Sequence, residues 1–156
     1  MIARLVRRTT MLALIVFALA AALCVGAASA RSHGFKQRFA PVNTAIRADG
    51  NAVGAALQSA AKQTDAQLAV AFANLATRTA NLTKRLSALA APASYAGAKR
   101  KLTLALLAGA KDLLAIAKAA QAHDANAART ATKRLVVDSA KIRSTRVTLA
   151  GKLGLP

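Results

Sequence analysis

Between Leu68 and Leu89 the chain repeats Leu68, Phe72, Leu75, Thr79, Leu82, Leu86 and Leu89 at alternating spacings of four and three. That rhythm keeps these residues on one stripe of an α-helix and sends Asn74, Arg78, Asn81, Lys84 and Arg85 mostly to its other faces. Upstream, Phe35, Phe39, Val42, Ile46, Val53, Leu57 and Ala60 hold a similar rhythm. Pro41 and the Asp49-Gly50-Asn51 triplet look like breakers. However, Ile46 and Val53 stay in phase across the triplet, which predicts one helix over about 34–62, bent if anything. The rival division, at the triplet, leaves one helix much longer than its neighbour.

Thr64 and Gln67 have the spacing of a capping box, and Asp65 lies in the first turn it opens, so the second helix is predicted over about 64–90. Ala91-Pro92-Ala93-Ser94 reads as a turn, with Ser94 the N-cap of a third helix over about 95–121. In that helix Leu102, Leu106, Leu113 and Ile116, joined by Leu104, Leu107 and Leu114, cover more than one stripe, so it is expected to be the most buried of the set. Asp124 caps a fourth helix over about 125–151, with Leu135, Ile142 and Leu149 as its seam and Gly151 and Gly154 as its stop. Four helices of about 27 residues, roughly 40 Å each at 1.5 Å per residue, joined by short turns, predict an all-α, antiparallel up-down-up-down four-helix bundle. Alanine makes up 34 of the residues after position 30, which favours helix nearly throughout.

Composition adds a compartment. Three arginines lie within residues 1–8, an apolar run spans Met11 to Gly26, and Ala28-Ser29-Ala30 has the small-x-small form of a signal-peptidase site. Residues 1–30 therefore read as an export signal cleaved after Ala30, the alternative being an uncleaved anchor of near-minimal spanning length. The single cysteine, Cys24, lies inside that run. The exported chain then has no disulfide and no Cys-ligated metal, and the bulky Leu23 argues against lipid attachment at Cys24. Residues 31–156 are expected to form one domain and a monomer, secreted or on the outer face of the cytoplasmic membrane.

Thr64-Asp65 opening a helix, Leu86-Ser-Ala-Leu-Ala-Ala-Pro92 closing it, Leu113-Leu-Ala-Ile-Ala-Lys-Ala119, Asp124 and a final Leu153-Gly-Leu-Pro156 carry a resemblance. With these features the chain resembles uncharacterised exported helical-bundle proteins of high-G+C Gram-positive bacteria. The resemblance implies a bundle in the cell envelope and assigns no functional residue.

Without residues 1–30 the chain holds 20 Lys and Arg against five Asp and no Glu, a formal charge of +15. Such a balance favours anionic surfaces. The predicted topology gathers Arg31, Lys36, Arg38, Lys84, Arg85, Lys99, Arg100, Lys101, Lys141, Arg143, Arg146 and Lys152 at one pole with no acid beside them. Lys62, Lys118 and Arg129 share the other pole with Asp65 and Asp124. Adhesion of the basic pole to an anionic membrane or envelope polymer is the first functional expectation. Its bland counterpart is that Lys and Arg solvate an alanine-rich bundle and answer helix dipoles. That counterpart suits Lys84, Arg85 and Lys152 better than Lys99-Arg100-Lys101 near a helix start. Specific nucleic-acid binding is not expected, because Phe35, Phe39, Phe72 and Tyr95 are the only aromatics after the signal and supply no stacking platform.

Catalytic, cofactor and metal constellations are missing from the pattern. His33 and His123 fall at opposite poles, and there is no Cys-x-x-Cys-His, no Glu-x-x-His, no phosphate loop and no nucleophile elbow. The expectation is a protein that is not an enzyme and holds neither cofactor nor metal. One layer does break the apolar pattern: Asp49 with Gly50, Thr79, Gly109, and Asp138 with Ser139 fall at similar depths on four helices. These groups set register, or Asp49 and Asp138 tilt outward and pair with Arg78 or Arg134, or the layer surrounds a small cavity for a polar or amphipathic ligand. A cavity there is the basis of the alternative reading, a bundle that holds a small ligand or acts as a periplasmic-type chaperone.

Overall fold

The structure is a computed structural model that describes residues 33–156. The segment expected to be an export signal, the expected cleavage site after Ala30, Cys24 and Arg31 lie outside the described residues. Every regular element among the described residues is helical: α1 over residues 33–59, α2 over Asp65–Ala88, α3 over Ala93–Gln121 and α4 over Ala125–Lys152. A 3-10 turn, Ala60–Lys62, follows α1. The four helices pack together as a bundle.

α1 runs unbroken through Asp49-Gly50-Asn51. Continuity places Ile46 and Val53 on one face, where they are 3% and 7% exposed, and that burial outweighs the roughly 1 kcal/mol that an internal glycine costs a helix. Pro41 removes one intrahelical hydrogen bond, but Pro41 and Gln37, whose carbonyl it leaves, are both exposed to water.

Thr64 forms the full capping box with Gln67: its Oγ1 accepts from the Gln67 N–H at 3.3 Å while Gln67 Oε1 accepts from the Thr64 N–H at 2.9 Å. Asp124 Oδ1 accepts from the N–H groups of Asn126 and Ala127 at 3.0 and 2.9 Å. Ser94 is not the cap of α3. The helix begins one residue after Pro92, whose carbonyl takes the N–H groups of Tyr95 and Ala96. Proline has already set the backbone for entry, so Ser94 falls in the first turn. Gly151 does not stop α4 either. The stop is Gly154, at φ +61°, where Leu155 N–H bonds back to Ala150 and Gly154 N–H to Gly151, a Schellman ending that only the second glycine is placed to make. His123 plays the same part after α3 at φ 52°, with Asp124 N–H bonded to Ala119 and His123 N–H to Ala120.

The core is divided. One cluster joins Phe35, Phe39, Val42 and Ile46 of α1 to Leu82 and Leu86 of α2, Leu102 and Leu106 of α3, and Leu149, Ala150 and Leu153 at the end of the chain. The Phe35 ring stacks on Phe39 and Tyr95 at centroid separations of 5.9 and 5.8 Å. The second cluster joins Val53, Phe72, Leu75, Ala76, Leu113, Ile116, Ala117, Ala131 and Leu135. Each cluster takes the start of one helix and the end of the next, so successive helices run in opposite directions. Full burial of a Phe or Leu side chain contributes about 1.5–3 kcal/mol, and these two clusters hold the bundle together.

α3 carries the longest run of buried residues, but Leu104, Leu107 and Leu114 are 54%, 42% and 44% exposed. They form an outward apolar stripe rather than a second buried face. α4 is the least embedded helix: none of its residues between Leu135 and Leu149 is buried, and Ile142, the middle of its expected seam, is only half-buried.

Candidate functional site

The layer between the two clusters is where polar residues and open space meet. Asp49 is 4% exposed, and its Oδ2 accepts a hydrogen bond from Thr79 Oγ1 at 2.6 Å. The same hydroxyl lies 3.0 Å from the Leu75 carbonyl, and with one proton it donates to one acceptor at a time. Asp49 Oδ1 has no hydrogen-bond partner, although Arg78 Nε lies 3.4 Å away. Arg78 is therefore an ion-pair neighbour without hydrogen-bond alignment. The carboxylate does not turn outward to reach Arg78. It stays inside, since Thr79 supplies the donor a buried carboxylate needs.

Gly109 brings α3 and α4 close at this depth. A Cβ there would meet Ile142 Cδ1 at 2.9 Å. A cleft of about 990 Å³ opens between α1 and α4 beside this contact, and Asp49, Gly50, Thr79, Gly109 and Ser139 all line it. Asp138 does not. It shares a separate recess of about 490 Å³ on the α3–α4 side with Lys111, Asp112, Lys133 and Arg134.

In that recess Asp112 is 7% exposed, and its Oδ1 accepts from Arg134 Nε at 3.2 Å. Arg134 thus pairs with Asp112, not with Asp138. Asp112 Oδ2 has no donor. The Asp138 carboxyl is a close neighbour of Asp112 and supplies it a hydrogen bond only when one of the two acids is protonated. Burial raises the Asp112 pKa above its ordinary value; Arg134 lowers it in part, and the hydrogen bond and like charge of Asp138 raise it further.

At the basic pole Arg38, Lys84, Arg85, Arg100, Lys101, Lys141, Arg143 and Lys152 are exposed, and Lys36, Lys99 and Arg146 are half-buried. The ion pairs among the described residues use Arg78, His123 and Arg134 instead. Lys99 serves the fold directly, because its Nζ donates to the carbonyls of Ser87 and Leu89 at 2.8 and 2.6 Å, closing the end of α2 across the turn. Arg143 and Arg146 sit at the mouth of the cleft. The Arg146 pKa is lowered by burial first, then by repulsion from Arg47 and Arg143.

Three participants escaped the sequence reading. Asp112 follows Gly109 by three residues and so shares its face, which was the available sign. Asn43 and Arg47 flank the seam residues Val42 and Ile46, and nothing in their spacing marks them. Asn43 Oδ1 accepts from Arg146 Nη1 at 3.0 Å, and its Nδ2 donates to the Pro156 carbonyl at 3.1 Å.

The chain matches no protein-family model, no curated protein and no solved structure. Among the described residues no helix is long and apolar enough to cross a membrane, and no three His, Cys, Asp or Glu side chains are grouped to hold a metal ion.

Proposed function

We propose that this chain is an exported, non-enzymatic cationic bundle of the cell envelope, whose basic pole adheres to anionic lipid or wall polymer. The reading rests on one observation: no ion pair among the described residues includes a cation of the basic pole. Two of the five acids serve helix starts at the opposite end, Asp124 as the N-cap of α4 and Asp65 in the first turn of α2. Helix dipoles and the Lys99 cap account for part of the charge but leave Arg38, Arg100 and Lys101 without a hydrogen-bond or ion-pair partner among the described residues. Each basic residue near an anionic leaflet contributes about 1 kcal/mol, falling off within a Debye length. Five or six in reach give salt-sensitive adhesion.

Co-sedimentation with phosphatidylglycerol vesicles and with phosphatidylcholine vesicles across a salt series tests this. The expected result is binding to the anionic vesicles alone, lost as salt rises and weakened in an Arg38→Gln, Arg100→Gln, Lys101→Gln variant. Equal binding to both vesicle types, or none at low salt, overturns it. A second reading, a bundle that holds a small ligand or an unfolded exported client, draws support from the cleft at Thr79 and Gly109. Suppression of client aggregation in a turbidity assay is what its chaperone form requires.

A further inference from the structure

The gap between α1 and α4 combines features that adhesion through the pole does not use. Its volume of about 990 Å³ lies at the upper end of the roughly 300–1,000 Å³ range of small-molecule sites. The inner wall is apolar, built from Ile46, Val53, Leu106, Leu113, Leu135 and Ile142. Over the length that borders it α4 has no fully buried residue between Leu135 and Leu149, and Ile142 alone reaches in to pack against Gly109 and the first core cluster.

The mouth carries the opposite chemistry. Arg47 comes from α1, and Arg143 and Arg146 come from α4. They stand close enough that both of the others disfavour the charge on Arg146. Among the described residues none of the three takes part in an ion pair. Among the described residues the only carboxylate lining the cleft is Asp49, which already accepts from Thr79 and faces Arg78. Arg146 is also held in place, since Asn43, 3% exposed, accepts from one of its nitrogens and is itself anchored to the Pro156 carbonyl. A planar guanidinium fixed in this way presents its remaining N–H groups in a preset fork that suits carboxylate or phosphate. Like charges at one mouth repel, and an anion seated among them cancels that repulsion. Asp49, deeper in the cleft, repels the same anion, so a ligand enters with its charged end outward.

We propose that the α1–α4 cleft binds a single-chain anionic amphiphile, its carboxylate or phosphate head held by Arg47, Arg143 and Arg146 and its hydrocarbon chain laid along the apolar wall. This goes beyond surface adhesion: it depends on the cleft and on Arg47, not on Arg38, Arg100 or Lys101.

Calorimetric titration of the purified protein with dodecyl phosphate and with laurate, below their micelle-forming concentrations, tests it, and the two arms separate the head-group sources. Both ligands are expected to saturate one site, with dodecyl maltoside and inorganic phosphate at least about tenfold weaker. Dodecyl maltoside binding as tightly as dodecyl phosphate would reduce the cleft to an apolar slot. Phosphate alone binding as tightly would reduce it to a bare anion site, and no binding by either amphiphile removes the proposal. Arg47→Gln with Arg143→Gln is expected to weaken both amphiphiles by about tenfold or more. Arg100→Gln with Lys101→Gln leaves them unchanged while weakening vesicle adhesion, so the two proposals fail separately. Ser139→Leu narrows the cleft without touching charge and is expected to weaken binding of both amphiphiles in a protein that still melts cooperatively. Full-strength binding by that folded variant, or equal weakening by the pole and mouth variants, overturns the assignment.

Discussion

Replacing Asp112 with asparagine is expected to stabilise the bundle at neutral pH, and the acid pair facing the α3–α4 recess supplies the reason. In the native protein Asp112 is almost fully buried, with one oxygen on Arg134, the other without a donor, and the Asp138 carboxyl as a close neighbour. A buried acceptor left without a partner costs about 1–3 kcal/mol. Asparagine offers its amide to Asp138 and keeps a carbonyl for Arg134. The loss is the charge on the Arg134 pair, and because that arginine side chain is 58% exposed, screening limits it to about 0.5 kcal/mol. The net expectation is a gain of about 1 kcal/mol, or about 3–5 °C in melting temperature for a domain of this size. The pH dependence follows from the direction of the shift. The Asp112 pKa is raised above its ordinary 3.8, so the folded protein holds this proton more tightly than the unfolded chain does. The native form therefore gains stability as pH falls through the raised value, the change ending below the ordinary one, and loses it as pH rises. The advantage of Asp112→Asn should be full near about pH 7 and shrink towards about pH 4. Thermal melts of both proteins by far-UV circular dichroism measure the gap, in which the carboxylates other than Asp138 cancel. A variant that melts at or below the native protein at neutral pH, or a gap that does not close on acidification, would refute the reasoning.

Thr79→Val removes the only hydrogen-bond donor to Asp49, and a loss of about 2 kcal/mol is expected, read as a lower urea midpoint at unchanged slope; Thr79→Ser should restore most of it. Gly109→Ala is expected to stay within about 1 kcal/mol of the native protein, because the atom it meets is the free end of Ile142. Gly109→Val, which that end cannot avoid, should cost about 1–3 kcal/mol in the same titration. His123→Gly relieves a left-handed residue at the end of α3 and should raise the melting temperature by the equivalent of about 0.5–1 kcal/mol. Its contact with Asp65 is largely exposed and subtracts little.

Helices, and the boundaries between them, were legible in the chain because the signals are local. A stripe from Leu68 to Leu89, a capping box at Thr64 and a cap at Asp124 are each set within a turn or two; the two caps appear as hydrogen bonds between near neighbours and the stripe as the buried face of α2. Depth was legible as well: rise along a helix is constant, so counting residues brings Asp49, Thr79, Gly109 and Ser139 to the level at which one cleft meets all four. Local signals failed where two devices competed, as when Pro92 displaced Ser94 at the start of α3 and Gly154 displaced Gly151 at the end of α4.

Rotation of each helix about its own axis, and the width of each gap, are not local quantities. They sent Arg134 to Asp112 instead of Asp138 and kept Asp49 inside with Thr79. They also turned Leu104, Leu107 and Leu114 outward and parted α4 from α1 so that Arg47 and Arg146 came to one mouth. Positions one residue apart on a helix differ by about 100°, so a small turn decides whether a side chain meets core, neighbour or water. That turn is set by how all four surfaces pack at once.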